Sequence, residues 1–313
     1  MAYSNEALAF SQIPPSHQIR LEDRISFAYL ERANVIQDRT GVVALSQIDG
    51  RNTRRSIQIP VGGISVLSLG PGTTISHSAI TSCTRAGATV VFSGAGGAVS
   101  YSHATPLTSS AKWAIAQARL VSNERHQRQA ALVLYKKQFG IEDMPGGSIR
   151  QMRGLEGRTM RNRYQELARK HGVQGFRRDV KSEDAVNASL NVINSILYGC
   201  AAAACAAISV NPALGVIHRG DSRSLLFDLA DLYKASTALP VAFAAAQKEN
   251  AVEAARGQLR AAIHKERMLE GMLGALMEIL TPHLPSRDDD RLIDDAGEEV
   301  EGHRQYGTSD GNE

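Results

Sequence analysis

Along the first hundred residues, apolar and polar positions alternate in short runs. Val35-Ile36 and residues 42–45 flank Asp38-Arg39-Thr40-Gly41, which predicts a hairpin. Ile57 and Ile59 alternate with polar neighbours, as do Ile64 and Val66 around Ser65; Gly62-Gly63 and Gly70-Pro71-Gly72 punctuate the runs. Residues 88–92 form another apolar run, and Val99 and Tyr101 alternate beyond a glycine turn. A short helix near 76–85 interrupts the series. After Pro106 the period lengthens. Residues 110–138 contain neither Gly nor Pro and predict one long helix, with Gly140 as its stop. Further helices are predicted over 155–171, 182–208, 224–235, 241–256 and 258–280. The glycine-rich connection 143–148 is expected to be mobile. The reading is α+β: a small β domain over residues 1–105 and a larger α-helical domain over 106–285, with no internal repeat.

Charge separates a third segment. Net charge is +3, but residues 286–313 hold three Arg and ten Asp or Glu, a net −7, which leaves the first 285 residues at +10. The acidic tail has few large apolar residues and is expected not to fold by itself. The basic body suits a polyanionic partner. Residues 1–11 lack the basic start and apolar run of a signal peptide. The alanine-rich stretch 196–210 is stopped by Asn211-Pro212 and falls short of the roughly 20 apolar residues a membrane span requires. It predicts a buried core helix and no membrane association. Cys83, Cys200 and Cys205 form no C-x-x-C pair, and two sit among alanines as small hydrophobes. A reduced, cytoplasmic setting is expected.

Three constellations carry candidate chemistry. The first is Gly215-Val216-Ile217-His218-Arg219-Gly220 followed by a helix bearing Asp228 and Asp231 beside an apolar stripe of Leu225, Leu226, Leu229 and Leu232. The aspartates lie three apart, neighbours on a helix, and His218 could fold back over them. A histidine with carboxylates suits Mg²⁺ or Mn²⁺. The ordinary alternative is two solvated aspartates and a satisfied core histidine. The second is Arg153-Gly154-Leu155-Glu156-Gly157, predicted to open a helix, so that Glu156 lies in the first turn where the dipole favours it. Residues 150–181 around it are the densest basic stretch in the chain. The third is the polar line Asp184, Asn187, Asn191 and Asn194 on one helix face, whose amides either satisfy neighbours or orient metal ligands.

Other signals are discounted. Gly94-Ala95-Gly96-Gly97 follows a strand but precedes another, so a hairpin turn outweighs a dinucleotide loop. There is no phosphate-binding G-x-x-x-x-G-K-[ST] loop, no G-x-S-x-G and no Cys/His nucleophile arrangement.

From about Ile19 to Leu280 the chain resembles the CRISPR-associated spacer-acquisition integrase and endonuclease family, specifically the catalytic subunit of its type I-E branch. The resemblance rests on Glu22-Asp23-Arg24-Ile25-Ser26, Ile59-Pro60-Val61-Gly62-Gly63, Gly70-Pro71-Gly72-Thr73 with Ser76-His77, and Arg153 to Gly157 with Tyr164. It continues through Asn187, Leu197-Tyr198-Gly199 and the segment from His218 to Asp231. It implies a β-sandwich-like N-terminal domain before a helical catalytic domain, and metal ligands Glu156, His218 and Asp231 for Mg²⁺ or Mn²⁺, with Asp228 beside the metal. It also implies a homodimer, with a small second CRISPR-associated acquisition protein bridging two dimers. The implied substrates are double-stranded DNA with 3′-hydroxyl ends and CRISPR repeat DNA, joined by attack of the 3′-hydroxyl on a phosphodiester, with hydrolysis at the same site.

Candidate DNA contacts are Arg158, Arg161 and Arg163, expected to face phosphates near Glu156, together with Arg219, Arg223 and Tyr198. One departure stands out. Where type I-E relatives carry an N-terminal wedge tyrosine, this chain has Arg32, with Tyr29 just before it. Two other functions compete: a metal-dependent nuclease for branched or repair DNA without integrase activity, and a non-catalytic DNA-binding scaffold.

Overall fold

The computed structural model describes residues 24–39, 41–47, 54–97, 100–106, 111–141, 147–285, 291–293 and 299–301. Expected features at residues 19–23, Thr40, Val99, 143–146 and most of the acidic tail lie outside the described residues.

The N-terminal region holds two four-stranded sheets. In the first, β1 (Ile25–Leu30), β5 (Ile64–Leu69) and β7 (Thr89–Ser93) run parallel, and β8 (Ser100–Ala104) closes the edge antiparallel, in the order β1-β5-β7-β8. The second has the order β4-β3-β2-β6, from β2 (Ala33–Asp38), β3 (Gly41–Gln47), β4 (Arg54–Ile59) and β6 (Thr74–Ile75). Asp38 pairs with Gly41 at the predicted hairpin. Helix α1 (His77–Arg85) starts at Ser76, whose hydroxyl accepts from the Ala79 amide.

Every residue of β5 is buried, as a strand covered on both faces requires. Leu67, Leu69 and Val90 join Val35, Val42 and Ala44 of the second sheet and Ala79 and Cys83 of α1 in one core. Val66 and Val91, with Phe27 of β1, face the helical region. The expected sandwich-like β region before a helical one is therefore what forms.

The helical region comprises α2 (Lys112–Val121), α3 (Glu124–Phe139), α4 (Ile149–Lys170), α5 (Ala185–Ala207), α6 (Ser224–Asp231), α7 (Leu239–Ala245), α8 (Ala251–Lys265) and α9 (Met268–Leu280). Helix α5 is long and apolar enough to cross a membrane by length and composition, yet most of it is buried inside the protein. It packs on the first sheet and on α6 to α9. Gly199 lets it approach closely: a Cβ there would stand 3.2 Å from Val66 Cγ1 and 3.5 Å from Val91 Cγ2. All three cysteines are free and buried; burial pushes Cys83 up to about 11 and Cys200 up to about 12, leaving them inert hydrophobes.

Several helix limits differ from expectation, for local reasons. The single helix over 110–138 is two, because Asn123 leaves the helical region and its side chain accepts from the amides of Arg125 and His126. Helix α4 begins at Ile149, earlier than expected, through a capping box between Ser148 and Gln151. The helices expected over 241–256 and 258–280 are re-divided where Asn250 caps α8 and where Arg267 adopts φ 50° before α9. In the tail expected not to fold by itself, Arg291–Ile293 and Glu299–Glu301 pair as a short antiparallel ribbon.

Replacing Gly199 with Val should overpack the junction of α5 and the sheet and cost about 1–3 kcal/mol of stability, read as a lowered denaturation midpoint.

Candidate active site

The loop before α6 is held from two sides. Gln117 of α2 is 3% exposed; its amide nitrogen donates to the carbonyls of Asn211 and Leu214, and its oxygen accepts from the Asn211 amide. The Leu225 amide donates to Pro212 O. Gly215 admits no side chain, since a Cβ there would meet the His218 carbonyl and Ser224.

On the other side stands Asp228, 2% exposed. Its Oδ2 accepts from the amides of Val216 (2.6 Å) and Ile217 (3.0 Å), and its Oδ1 from the His218 amide (2.9 Å) and from His218 Nδ1 (2.8 Å). Three N–H donors on an acceptor-only carboxylate assign the fourth proton to Nδ1, which leaves the Nε2 lone pair free. Nε2 points at Asp231, 4.0 Å from its Oδ2, while Lys234 Nζ donates to Oδ1 at 2.9 Å.

The aspartates are thus buried groups with assigned partners, and the solvated-surface alternative falls. Asp228 spends its four hydrogen bonds on the segment 216–218 and on the His218 ring. The hydrogen bond to Asp228 raises the pKa of His218 against the opposing effect of burial, with the charges of Asp228, Asp231 and Glu156 adding to the rise. Burial works against the charge of Lys234, but the Asp231 carboxylate holds it above the usual lysine range.

Glu156 sits two turns into α4, not in its first turn, so the helix dipole does not account for it. It is held by α3: Tyr135 OH donates to Oε2 and Gln138 Nε2 to Oε1, both at 3.0 Å. Burial, then Glu156, raise the pKa of the Tyr135 hydroxyl, which stays a donor.

Of the three expected ligands, the structure therefore brings together His218 and Asp231. Glu156 lies within their electrostatic reach with its carboxylate turned to Tyr135 and Gln138. Among the described residues, no group of three or more His, Cys, Asp or Glu stands ready to hold a metal ion. The pair itself fits a divalent cation. Its 4.0 Å separation is too long for a hydrogen bond, and an imidazole nitrogen with a carboxylate oxygen is a donor set that such a cation takes.

The expected DNA contacts divide. At 3.6 residues per turn, Arg158 and Arg161 project from the side of α4 away from Glu156, and both are exposed. Arg163 shares the Glu156 face but is committed to Glu166 at 2.8 Å and to the Ala235 carbonyl at 3.4 Å. Arg223 pairs with Asp221 and lies 5.1 Å over the Phe227 ring. Tyr198 is half-buried, 5.1 Å from Phe227, which meets His218 edge-on at 5.8 Å. Arg219 is exposed and helps line a cavity of about 830 Å³ beside His218, with Ile217, Arg150 and Arg153. In the polar line on α5, two of the amides are held by neighbouring groups. Asn187 and Asn191 accept from Arg178 and donate to the carbonyls of Arg177 and Val180.

Sequence reasoning missed Lys234, Tyr135 and Gln138. The first could have been found from its i, i+3 spacing to Asp231. Tyr135 and Gln138, three apart, were hidden inside what reads as one uniform helix.

A fold of this kind is found in relatives of known sequence and structure. A family model described as CRISPR associated protein Cas1 matches residues 135–268. The chain is 35% identical over 251 residues to the CRISPR-associated endonuclease Cas1 of Geobacter sulfurreducens, spanning 76% of this chain and 78% of that protein. It is 35% identical over 308 residues to the CRISPR-associated endonuclease Cas1 2 of Thermus thermophilus, spanning 93% of each. The crystal structure of a TtCas1–DNA complex superposes with a TM-score of 0.74 at 33% identity, covering 89% of this chain and 99% of that one. The chain belongs to the Cas1 family.

Removing the Asp228 carboxylate should be costly. Asp228→Ala leaves three buried amides and an imidazole unpaired, for about 3–5 kcal/mol. The charged imidazole contributes stability below the ordinary histidine pKa of about 6.5. That contribution fades as pH rises through the raised value in the folded state. Asp228→Asn should therefore destabilise more near pH 5 than near pH 9, measured by denaturant midpoints.

Proposed function

We propose that this protein is the DNA-joining subunit of a CRISPR spacer-acquisition complex: a metal-dependent integrase and endonuclease of the type I-E branch. One observation carries the reading. His218 is locked by Asp228 with its free nitrogen toward Asp231, and among the described residues the site shows no serine, cysteine or lysine nucleophile arrangement.

Such a site suits a reaction whose nucleophile comes with the substrate. The 3′-hydroxyl of a short DNA fragment forms a new P–O bond at a phosphodiester of the CRISPR repeat, and the bond from that phosphorus to the target strand's 3′-oxygen breaks. With water in place of the hydroxyl, the same site hydrolyses DNA. His218 and Asp231, joined by Glu156, would hold Mg²⁺ or Mn²⁺, which supplies charge stabilisation for the attacking, leaving and phosphoryl oxygens. Lys234 holds Asp231 Oδ1 so that Oδ2 faces His218. The basic body binds DNA phosphates, which positions a duplex without reading its sequence. The DNA complex of a relative at 33% identity supports this. The same reading includes a homodimer, with a small second CRISPR-associated protein bridging two dimers.

The test is strand transfer of a labelled 3′-hydroxyl duplex into a repeat-containing plasmid, with Mn²⁺ and the small partner. Wild type should join the label. His218→Ala and Asp231→Ala should bind DNA yet join at least about 100-fold more slowly, and chelation should stop the wild-type reaction. Label released without joining would identify a hydrolytic nuclease, and variants that join like wild type would remove the proposed site.

A further inference from the structure

We propose that Tyr135 and Gln138 are positioning residues for the third ligand of the cation site: from α3 they fix the Glu156 carboxylate that joins His218 and Asp231. This rests on the strand-transfer reading and adds to it two residues from a helix that contributes no ligand.

Glu156 does not project from the exposed side of α4. It lies one turn after Met152 and one turn before Met160, both buried, and so belongs to a row that faces the core. It is itself half-buried. A carboxylate so placed needs donors, and both come from α3, where Tyr135 and Gln138 lie three apart on one face. Both are buried. Tyr135 OH donates to Oε2 and Gln138 Nε2 to Oε1, each at 3.0 Å. The Tyr135 ring is stacked on Phe139, with centroids 6.2 Å apart, so the ring that carries the hydroxyl is itself packed in place.

One donor on each oxygen holds the plane of the carboxylate yet uses only two of its roughly four acceptor positions. The remaining lone pairs stay available to a cation. A glutamate free to rotate would have to be ordered whenever a cation binds; here that ordering is built into the fold. The other two expected ligands are backed in the same way. Asp228 holds His218 through Nδ1, and Lys234 holds Asp231 through Oδ1. Tyr135 and Gln138 complete this pattern, so that each ligand has its own supporting partner, and partners of this kind set metal affinity.

The experiment is a double-mutant cycle on the full chain, read by electron paramagnetic resonance of added Mn²⁺. Tyr135→Phe and Gln138→Met should each weaken Mn²⁺ binding about 10-fold, while DNA affinity in chelator stays at the wild-type value. Glu156→Gln should weaken Mn²⁺ binding at least as much. Adding Tyr135→Phe to Glu156→Gln should cost nothing further, because the hydroxyl acts only through that carboxylate; a merely structural role would weaken both backgrounds alike. The positioning role is overturned if Tyr135→Phe and Gln138→Met bind Mn²⁺ as wild type does, or if Tyr135→Phe is as damaging in the Glu156→Gln background. In either case joining by wild type, assayed in parallel, would still stand. If Glu156→Gln itself binds Mn²⁺ like wild type, Glu156 is no ligand, and the inference falls together with that part of the strand-transfer reading. An intact cycle in a protein that does not join DNA would count against the strand-transfer reading alone.

Discussion

The site depends on one buried carboxylate. Asp228 gathers three consecutive backbone amides and an imidazole nitrogen, so the segment 216–218 has no freedom to place His218 elsewhere. A charge this deeply buried is tolerable only when every lone pair is used, and here it is. The same bonds that stabilise the group dictate which nitrogen of His218 carries a proton and where the other points. Gln117 repeats the principle upstream with a neutral amide, binding the turn at 211–214 from α2.

Helix α5 packs against α6, the helix that carries the buried Asp228. That helix packs on the first sheet and on α6 to α9, and at Gly199 it comes close enough to β5 and β7 that a Cβ would stand 3.2 Å from Val66 Cγ1. The two regions are also joined by aromatic–guanidinium contacts. Arg256 of α8 stacks 4.6 Å over the Tyr29 ring and donates to the Gly96 carbonyl, while Arg260 lies 5.1 Å over Phe27. Tyr29 further donates to Glu31. Its ring is thus engaged in holding the regions together, and Arg32, at φ 52° beside it, is the exposed residue at the tip.

Much of this was legible in the sequence, and the reasons for the remainder are specific. Period-two runs and glycine punctuation located the strands because alternation reflects burial on one face. They did not distinguish β5, buried on both faces, from its neighbours. The spacing of His218, Asp228 and Asp231 announced the site because a loop and one helical turn are local. It could not reveal that Asp228 serves the backbone, since amide partners leave no mark in the residue types. Glu156 was found, but its position in α4 was misplaced because a capping box starts the helix at Ile149, just after Ser148. Its partners Tyr135 and Gln138 come from another helix, a tertiary fact. The arginines show the same limit: composition counts Arg158, Arg161 and Arg163 as one basic patch, whereas helix geometry separates them and a salt bridge withdraws the third.

The central claim is that His218, oriented by Asp228, and Asp231 form a divalent-cation site. Electron paramagnetic resonance of Mn²⁺ added to metal-free protein tests it without reference to DNA. The account predicts saturable binding by wild type, weakened about 10- to 100-fold or more in His218→Ala and in Asp231→Asn. Binding of Mn²⁺ by both variants with wild-type affinity would contradict it.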